Sequence, residues 1–246
     1  MAEQTQISWT DSTFNPWWGC QRISPACDNC YAAALDHRTG GSYWETGNKP
    51  RAMSDANWKK PLRWHHEAQV HGNPRKVFCG SMCDVFDKNA PDGQRERLFE
   101  LIRQTPMLQW QLLTKRPTNI EKYLPDDWGD GYDNVWLGVT VEDCKYGLPR
   151  IDVLKNIPAR IRFLSVEPLL QDLGNINLTG IDWVIIGGES GPCSRPMSPE
   201  WVDNVMHQCR RQNVAVWFKQ WGGNKKDKGG CLVHDAEIKQ WPHTTG

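Results

Sequence analysis

Six short apolar runs, each closing on polar or glycine residues, constrain this chain more than any other feature. They are KVFCGSMCD (76–84), WQLLTKRP (110–117), NVWLGVTVED (134–143), IRFLSVEP (161–168), DWVIIGGESG (182–191) and VAVWFKQWGG (214–223). Each is rich in Val, Ile, Leu, Phe and Trp and does not alternate with polar residues, so both faces are expected to be buried, as in a parallel sheet. Helical patterns lie between several of them. PDGQRERLFELIRQT (91–105) places Leu98, Leu101 and Ile102 on one face, and SPEWVDNVMHQCRRQN (198–213) opens with Ser198 as a cap, Pro199 in the first turn and Glu200 after it. Strands alternating with helices predict βα units. With FNPWWGC as the end of a first strand there are seven strands. The predicted fold is α/β, a partial or distorted (β/α) barrel of about six to seven parallel strands. No GxGxxG follows the first strand, which weakens a dinucleotide-binding reading.

The 246 residues suit one barrel domain over 1–223, with a polar, aromatic insertion at about 37–75 and a polar extension over 224–246. One helical piece is expected in the insertion near Trp58 to Val70. Lys plus Arg equals Asp plus Glu at 29 each, so no global basic field points to nucleic acid, although a local patch is compatible with these numbers. The N-terminus shows no charged segment followed by an apolar run, and no stretch approaches the roughly 20 apolar residues of a membrane span. The expectation is a soluble, cytoplasmic protein. Fourteen tryptophans are many for this length. Trp136, Trp183 and Trp217 fall inside expected strands, which favours burial over base stacking.

Nine cysteines, odd in number and unevenly spaced, argue against a secreted disulfide framework. Three of them, Cys20, Cys27 and Cys30, form a CxxxxxxCxxC cluster in NPWWGCQRISPACDNCYAAAL, after the first expected strand. A structural zinc site closes four protein ligands around the metal, whereas three cysteines on a 4Fe-4S cluster leave one iron open to a small molecule. Zinc stays open as an alternative, completed by Cys79 and Cys83 only if that strand end folds back onto the loop.

In parallel barrels the reactive groups collect at the carboxyl ends of the strands. Six successive ends here are polar: Cys79, Ser81, Cys83 and Asp84; Thr114, Lys115 and Arg116; Thr140, Glu142 and Asp143; Ser165 and Glu167; Glu189 and Ser190; Lys219 and Gln220. Glu142, Glu167 and Glu189 suit acceptance of hydrogen bonds from an ammonium or ribose hydroxyls, and Lys115 and Arg116 suit a carboxylate or phosphate. The glycines of GGES, Gly187 and Gly188, allow close backbone approach to a ligand or make an ordinary tight turn. Cys79 and Cys83 read as metal ligands, as a thiol facing a substrate, or as core filler.

The three-cysteine loop with its CDNCYAAAL ending, the βα barrel and the GGE turn resemble the radical SAM superfamily, whose more usual spacing is CxxxCxxC. The order WTxxTxNPWxGC, CxxCYA, GSMxDxF, LLTKRP, WLGVTVE, RFLSVEPLL, DWVIIGGESG and FKQWG, over nearly the whole chain, resembles a phage-associated three-cysteine-motif family of radical SAM-like proteins. The cluster and barrel are also similar to those of the spore photoproduct lyases. The resemblance implies a radical SAM-type barrel in which Cys20, Cys27 and Cys30 hold a 4Fe-4S cluster and S-adenosyl-L-methionine (SAM) is the second cofactor. It implies SAM contacts among Ser81, Asp84, Lys115, Arg116, Thr140, Glu142, Ser165, Glu167, Gly187, Gly188 and Glu189. Cys83 or Cys79 becomes a candidate hydrogen donor, an electron donor such as flavodoxin or ferredoxin is expected, and a dedicated partner protein is compatible. Reductive cleavage of SAM for hydrogen abstraction, in modification or repair of a nucleic acid or nucleotide, is the implied activity. The alternative is a non-catalytic zinc or iron-sulfur module that recognises nucleic acid or a partner protein.

Overall fold

The computed structural model describes residues 4–243; what the sequence reading said of residues 1–3 and 244–246 lies outside them. The strands are β1 (Ser12–Phe14), β2 (Trp17–Trp18), β3 (Arg51–Ala52), β4 (Arg75–Cys79), β5 (Leu108–Thr114), β6 (Val135–Thr140), β7 (Ile161–Val166), β8 (Trp183–Gly187), β9 (Ala215–Gln220), β10 (Leu232–Val233) and β11 (Ala236–Glu237). The helices are α1 (Tyr31–Arg38), α2 (Asp55–Trp58), α3 (Lys60–His71), α4 (Gln94–Gln104), α5 (Ile120–Tyr123), α6 (Leu148–Lys155) and α7 (Pro199–Arg211).

Seven strands form one sheet in the order β1-β4-β5-β6-β7-β8-β9. The pairs β1 with β4, β4 with β5, β7 with β8 and β8 with β9 are parallel. Strands join in chain order with no reversal. That succession belongs to the (β/α) barrel class, because a doubly wound sheet reverses at a switch point. The α/β class read from the apolar runs is the one observed. The first strand differs in detail: it ends at Phe14, and Trp17–Trp18 pairs antiparallel with Arg51–Ala52 outside the main sheet. Pro16, which lacks a backbone N–H, divides the two segments. Among the described residues no helix is long and apolar enough to cross a membrane.

The chain divides into two compact units. The first comprises the chain up to Arg22, Ala32–Leu137 and Ile157–Arg160. Its core is aromatic: Phe14 meets Trp110 edge-on at 5.6 Å and Trp58 at 5.2 Å. Leu98 and Ile102 of α4 have no exposed surface and Leu101 is also buried, so the helical face expected from their spacing is the packed one. Helix α3 supplies the expected helical piece of the insertion and buries Trp64 and Ala68.

The second unit comprises Ile23–Tyr31, Gly138–Asn156 and the chain from Ile161 onward. Here Trp183 packs on Phe163, Trp217 and Trp241. The connection from β7 to β8 is irregular rather than helical, and two glutamines fasten it, Gln208 in α7 and Gln212 just after its last residue. Gln208 accepts from Ile176 N and donates to Gly174 O, while Gln212 accepts from Leu178 N and donates to Ile176 O. Ser198 precedes α7 with extended backbone, but its hydroxyl bonds to Glu200 rather than to the helix backbone. The extension read as polar is ordered against β9. Phe218 N donates to Ile238 O at 2.8 Å and Gln240 N to Val216 O at 2.9 Å, an antiparallel pairing centred on Trp217 and Lys239.

Candidate functional site

The carboxyl ends of β1, β4 and β5 build a polar cluster in the first unit. Asn15, wholly buried just after β1, donates to Ser81 Oγ at 2.9 Å and accepts from Met82 N at 2.7 Å. Its backbone oxygen accepts from Asn57, so the turn after β4 and the start of α2 are both fixed to this one residue. Cys79 and Cys83 are buried beside it, and the Cys83 thiol points to Asn15 Oδ1 at 3.9 Å. Burial pushes both thiols far above the ordinary range; for Cys83 the neighbouring Cys79 and Cys20 add to this.

Asp84, Arg116 and Cys20 form the charged part. Asp84 accepts from Thr114 Oγ1 at 2.7 Å, Lys115 N at 3.1 Å and Arg116 Nη1 at 2.9 Å. Arg116 also meets Asp87 at 3.0 Å, Gln21 O at 2.6 Å and Cys20 Sγ at 3.6 Å. Burial alone would lower the Arg116 pKa, but Asp84, Cys20 and Asp87 outweigh it and hold the guanidinium charged. The Cys20 thiol is pushed up to about 12, first by burial and then by Asp84, against the opposing charge of Arg116. Ser81, Asp84, Lys115 and Arg116, expected as ligand contacts, are thus brought together, with Asp84 and Arg116 engaged with each other.

In the second unit the strand ends carry three carboxylates, each with a cation of its own. Glu142 has no exposed surface and receives Arg150 at 2.5 and 3.1 Å, while the same guanidinium donates to Thr140 O at 2.8 Å. Glu167 pairs with Lys219, and this pair keeps 18% and 16% of its side-chain surface open. Gly187 makes room for it, since a Cβ there would lie 3.2 Å from the Glu167 carboxyl carbon. Ser165 is buried within β7, and its carbonyl accepts from Val141 N.

Glu189 holds the cysteine loop. Its carboxylate accepts from Asn29 Nδ2 at 2.8 Å, inside CDNC, and from Arg195 N and Nε, both at 2.9 Å. Arg195 Nη2 reaches on to Pro25 O at 2.9 Å, and Asn29 Nδ2 also donates to Cys193 O at 2.8 Å. Cys27 and Cys30 are therefore carried on a segment docked at the carboxyl end of β8. Burial alone would raise the Glu189 pKa, but the bonds from Arg195 and Asn29 outweigh it and hold the group below the usual carboxylate range. Stability from such a group is present above its unfolded pKa, about 4.3, and lost as pH falls through the lower folded value. The destabilisation caused by Glu189→Gln, measured by urea unfolding, is therefore expected to be larger at about pH 7 than at about pH 3. An equal loss at both would contradict this.

Asn15, Asn29, Arg150 and Arg195 escape the sequence reading. Asn29 alone carried a signal, its place between two candidate ligands. All nine cysteines are free thiols, so Cys20, Cys27 and Cys30 are available as sulfur donors. Among the described residues no three His, Cys, Asp or Glu side chains are already gathered in a ligating arrangement.

Sheet order and strand-end chemistry together define an α/β protein of the sequential parallel class with a cysteine-bearing loop at a strand end. The chain belongs to the family described as a protein of unknown function, DUF5131, which matches residues 4–242. Comparison with curated proteins gives no match. Among solved structures, the chain is similar to a doubly substituted spore photoproduct lyase with bound AdoMet and dinucleoside spore photoproduct, at 11% identity and a TM-score of 0.47. The alignment covers 85% of this chain and 63% of that one.

Proposed function

We propose that this protein is a radical SAM-type iron-sulfur enzyme, of the phage-associated three-cysteine-motif kind, that acts on a nucleic acid or nucleotide. The observation that carries the reading is the docking of the CDNC segment on Glu189 through Asn29 and Arg195. It sets two of the three candidate ligands at a strand carboxyl end, where parallel α/β proteins assemble their sites. The donor set fits: three free thiols suit a 4Fe-4S cluster with one iron left for SAM. When bound, the two groups supply a 5′-deoxyadenosyl radical by one-electron cleavage of SAM.

The chain's own residues then bind and orient. Cys20, Cys27 and Cys30 hold the metal. The partly open Glu167–Lys219 pair offers an acceptor and a donor to the amino and carboxylate groups of a ligand, and Gly187, lacking a Cβ, leaves the space that the Glu167 carboxylate occupies. Glu142 and Glu189 keep their Arg partners and serve as framework. Cys83 is the better candidate hydrogen donor of the buried pair, because it stays protonated and retains a little exposed surface, 7% against none for Cys79. Flavodoxin or ferredoxin as electron donor and a cytoplasmic setting complete the proposal.

Protein reconstituted anaerobically should be brown, carry about four irons and release 5′-deoxyadenosine on reduction with SAM, more so with its DNA or nucleotide substrate present. Cys30→Ala should lose the iron and the product together. Colourless protein holding one zinc would overturn the proposal in favour of a non-catalytic binding module.

A further inference from the structure

We propose that Arg116 is a positioning residue for the cysteine-held centre: it fixes the Cys20–Gln21 backbone and, by donating to Cys20 Sγ, raises the potential at which the centre accepts its electron. This rests on the iron-sulfur reading above. A guanidinium has five N–H donors. Here Nη1 donates to Asp84 at 2.9 Å and Cys20 Sγ at 3.6 Å, while Nη2 donates to Gln21 O at 2.6 Å and forms an ion pair with Asp87 at 3.0 Å. Both outer nitrogens are thus engaged with the protein's own groups, Nη1 by two hydrogen bonds and Nη2 by one hydrogen bond and an ion pair. The two carboxylates are 7% and 1% exposed and Arg116 is 10% exposed, so swinging the guanidinium away would strand both buried charges. Thr114 and the Lys115 amide secure Asp84 in turn, which makes the end of β5 a rigid base for the first cysteine.

Hydrogen bonds and positive charge at a ligand sulfur stabilise the more negative, reduced state of an iron-sulfur centre. Removing the guanidinium should shift the midpoint potential down, and removing one neighbouring carboxylate should shift it up. The test is a redox titration of reconstituted wild type, Arg116→Met and Asp87→Asn with dithionite and mediators, followed by electron paramagnetic resonance, with iron content measured in parallel. The expected result is a lower potential and faster iron loss to a chelator in Arg116→Met, and a higher potential at unchanged iron content in Asp87→Asn. A purely structural role would not give shifts of opposite sign. If Arg116→Met fails to fold, the near-isosteric Asp87→Asn still decides: an unmoved potential overturns the inference. Wild-type protein that takes up no cluster fails the underlying reading instead, so the two failures are told apart.

Discussion

Arg150→Met is expected to destabilise the protein by about 3–5 kcal/mol, the cost of breaking a buried ion pair by removing one partner. Glu142 has no exposed surface, and both its oxygens rest on the Arg150 guanidinium. Methionine approximates the volume but donates nothing, so the carboxylate would be left charged and unpaired in the interior. The same guanidinium also satisfies Thr140 O, at the last residue of β6, and that carbonyl loses its partner too. The double variant Glu142→Gln with Arg150→Met removes the stranded charge and should recover much of the loss. Urea unfolding of the two variants beside wild type measures both quantities. A loss below about 1 kcal/mol for Arg150→Met would mean that water reaches the pair in solution.

Gly188→Ala should be comparably severe for a steric reason. A Cβ at this position would lie 1.8 Å from the carbonyl oxygen of Trp221, far inside contact distance, and the obstacle is backbone rather than a movable side chain. Gly188 N also donates to Gln220 O at 2.9 Å, so the ends of β8 and β9 cannot part without losing that bond. The expected cost lies at or beyond the top of the roughly 1–3 kcal/mol usual for overpacking. Gly191→Ala is the control. No atom stands within 4 Å of its added Cβ, so only the backbone cost of its φ of 118° applies. If both variants lose the same stability by thermal unfolding, close approach at Gly188 is not what requires glycine.

The strands were legible because burial on both faces writes itself into the sequence as unbroken apolar runs. Val184, Ile185 and Ile186 of β8 are wholly buried, and no polar residue interrupts them. The first strand was misplaced because NPWWGC continues the apolar character past Pro16, where the hydrogen-bonding pattern in fact changes partner. Candidate site residues were legible as strand-end polar groups, but their pairings were not. Glu142 and Arg150 sit eight positions apart across a βα turn, and Asn29 and Glu189 are 160 apart. No periodicity links such residues; only the fold brings them together. The tail reads as a polar extension, and its pairing with β9 was not legible because it runs through backbone groups, which composition does not register.

That tail also bears on self-association. The outward edge of β9 is the last edge in the strand order, and a bare row of N–H and C=O groups there is a template for a strand of another molecule. Ile238 and Gln240 occupy the row from within, and the Gln240 side chain accepts from Val216 N besides. Trp241 closes over the seam against Trp183 and Trp217. The polar C-terminal residues thus act as an intramolecular plug, keeping this edge from polymerising with its neighbours.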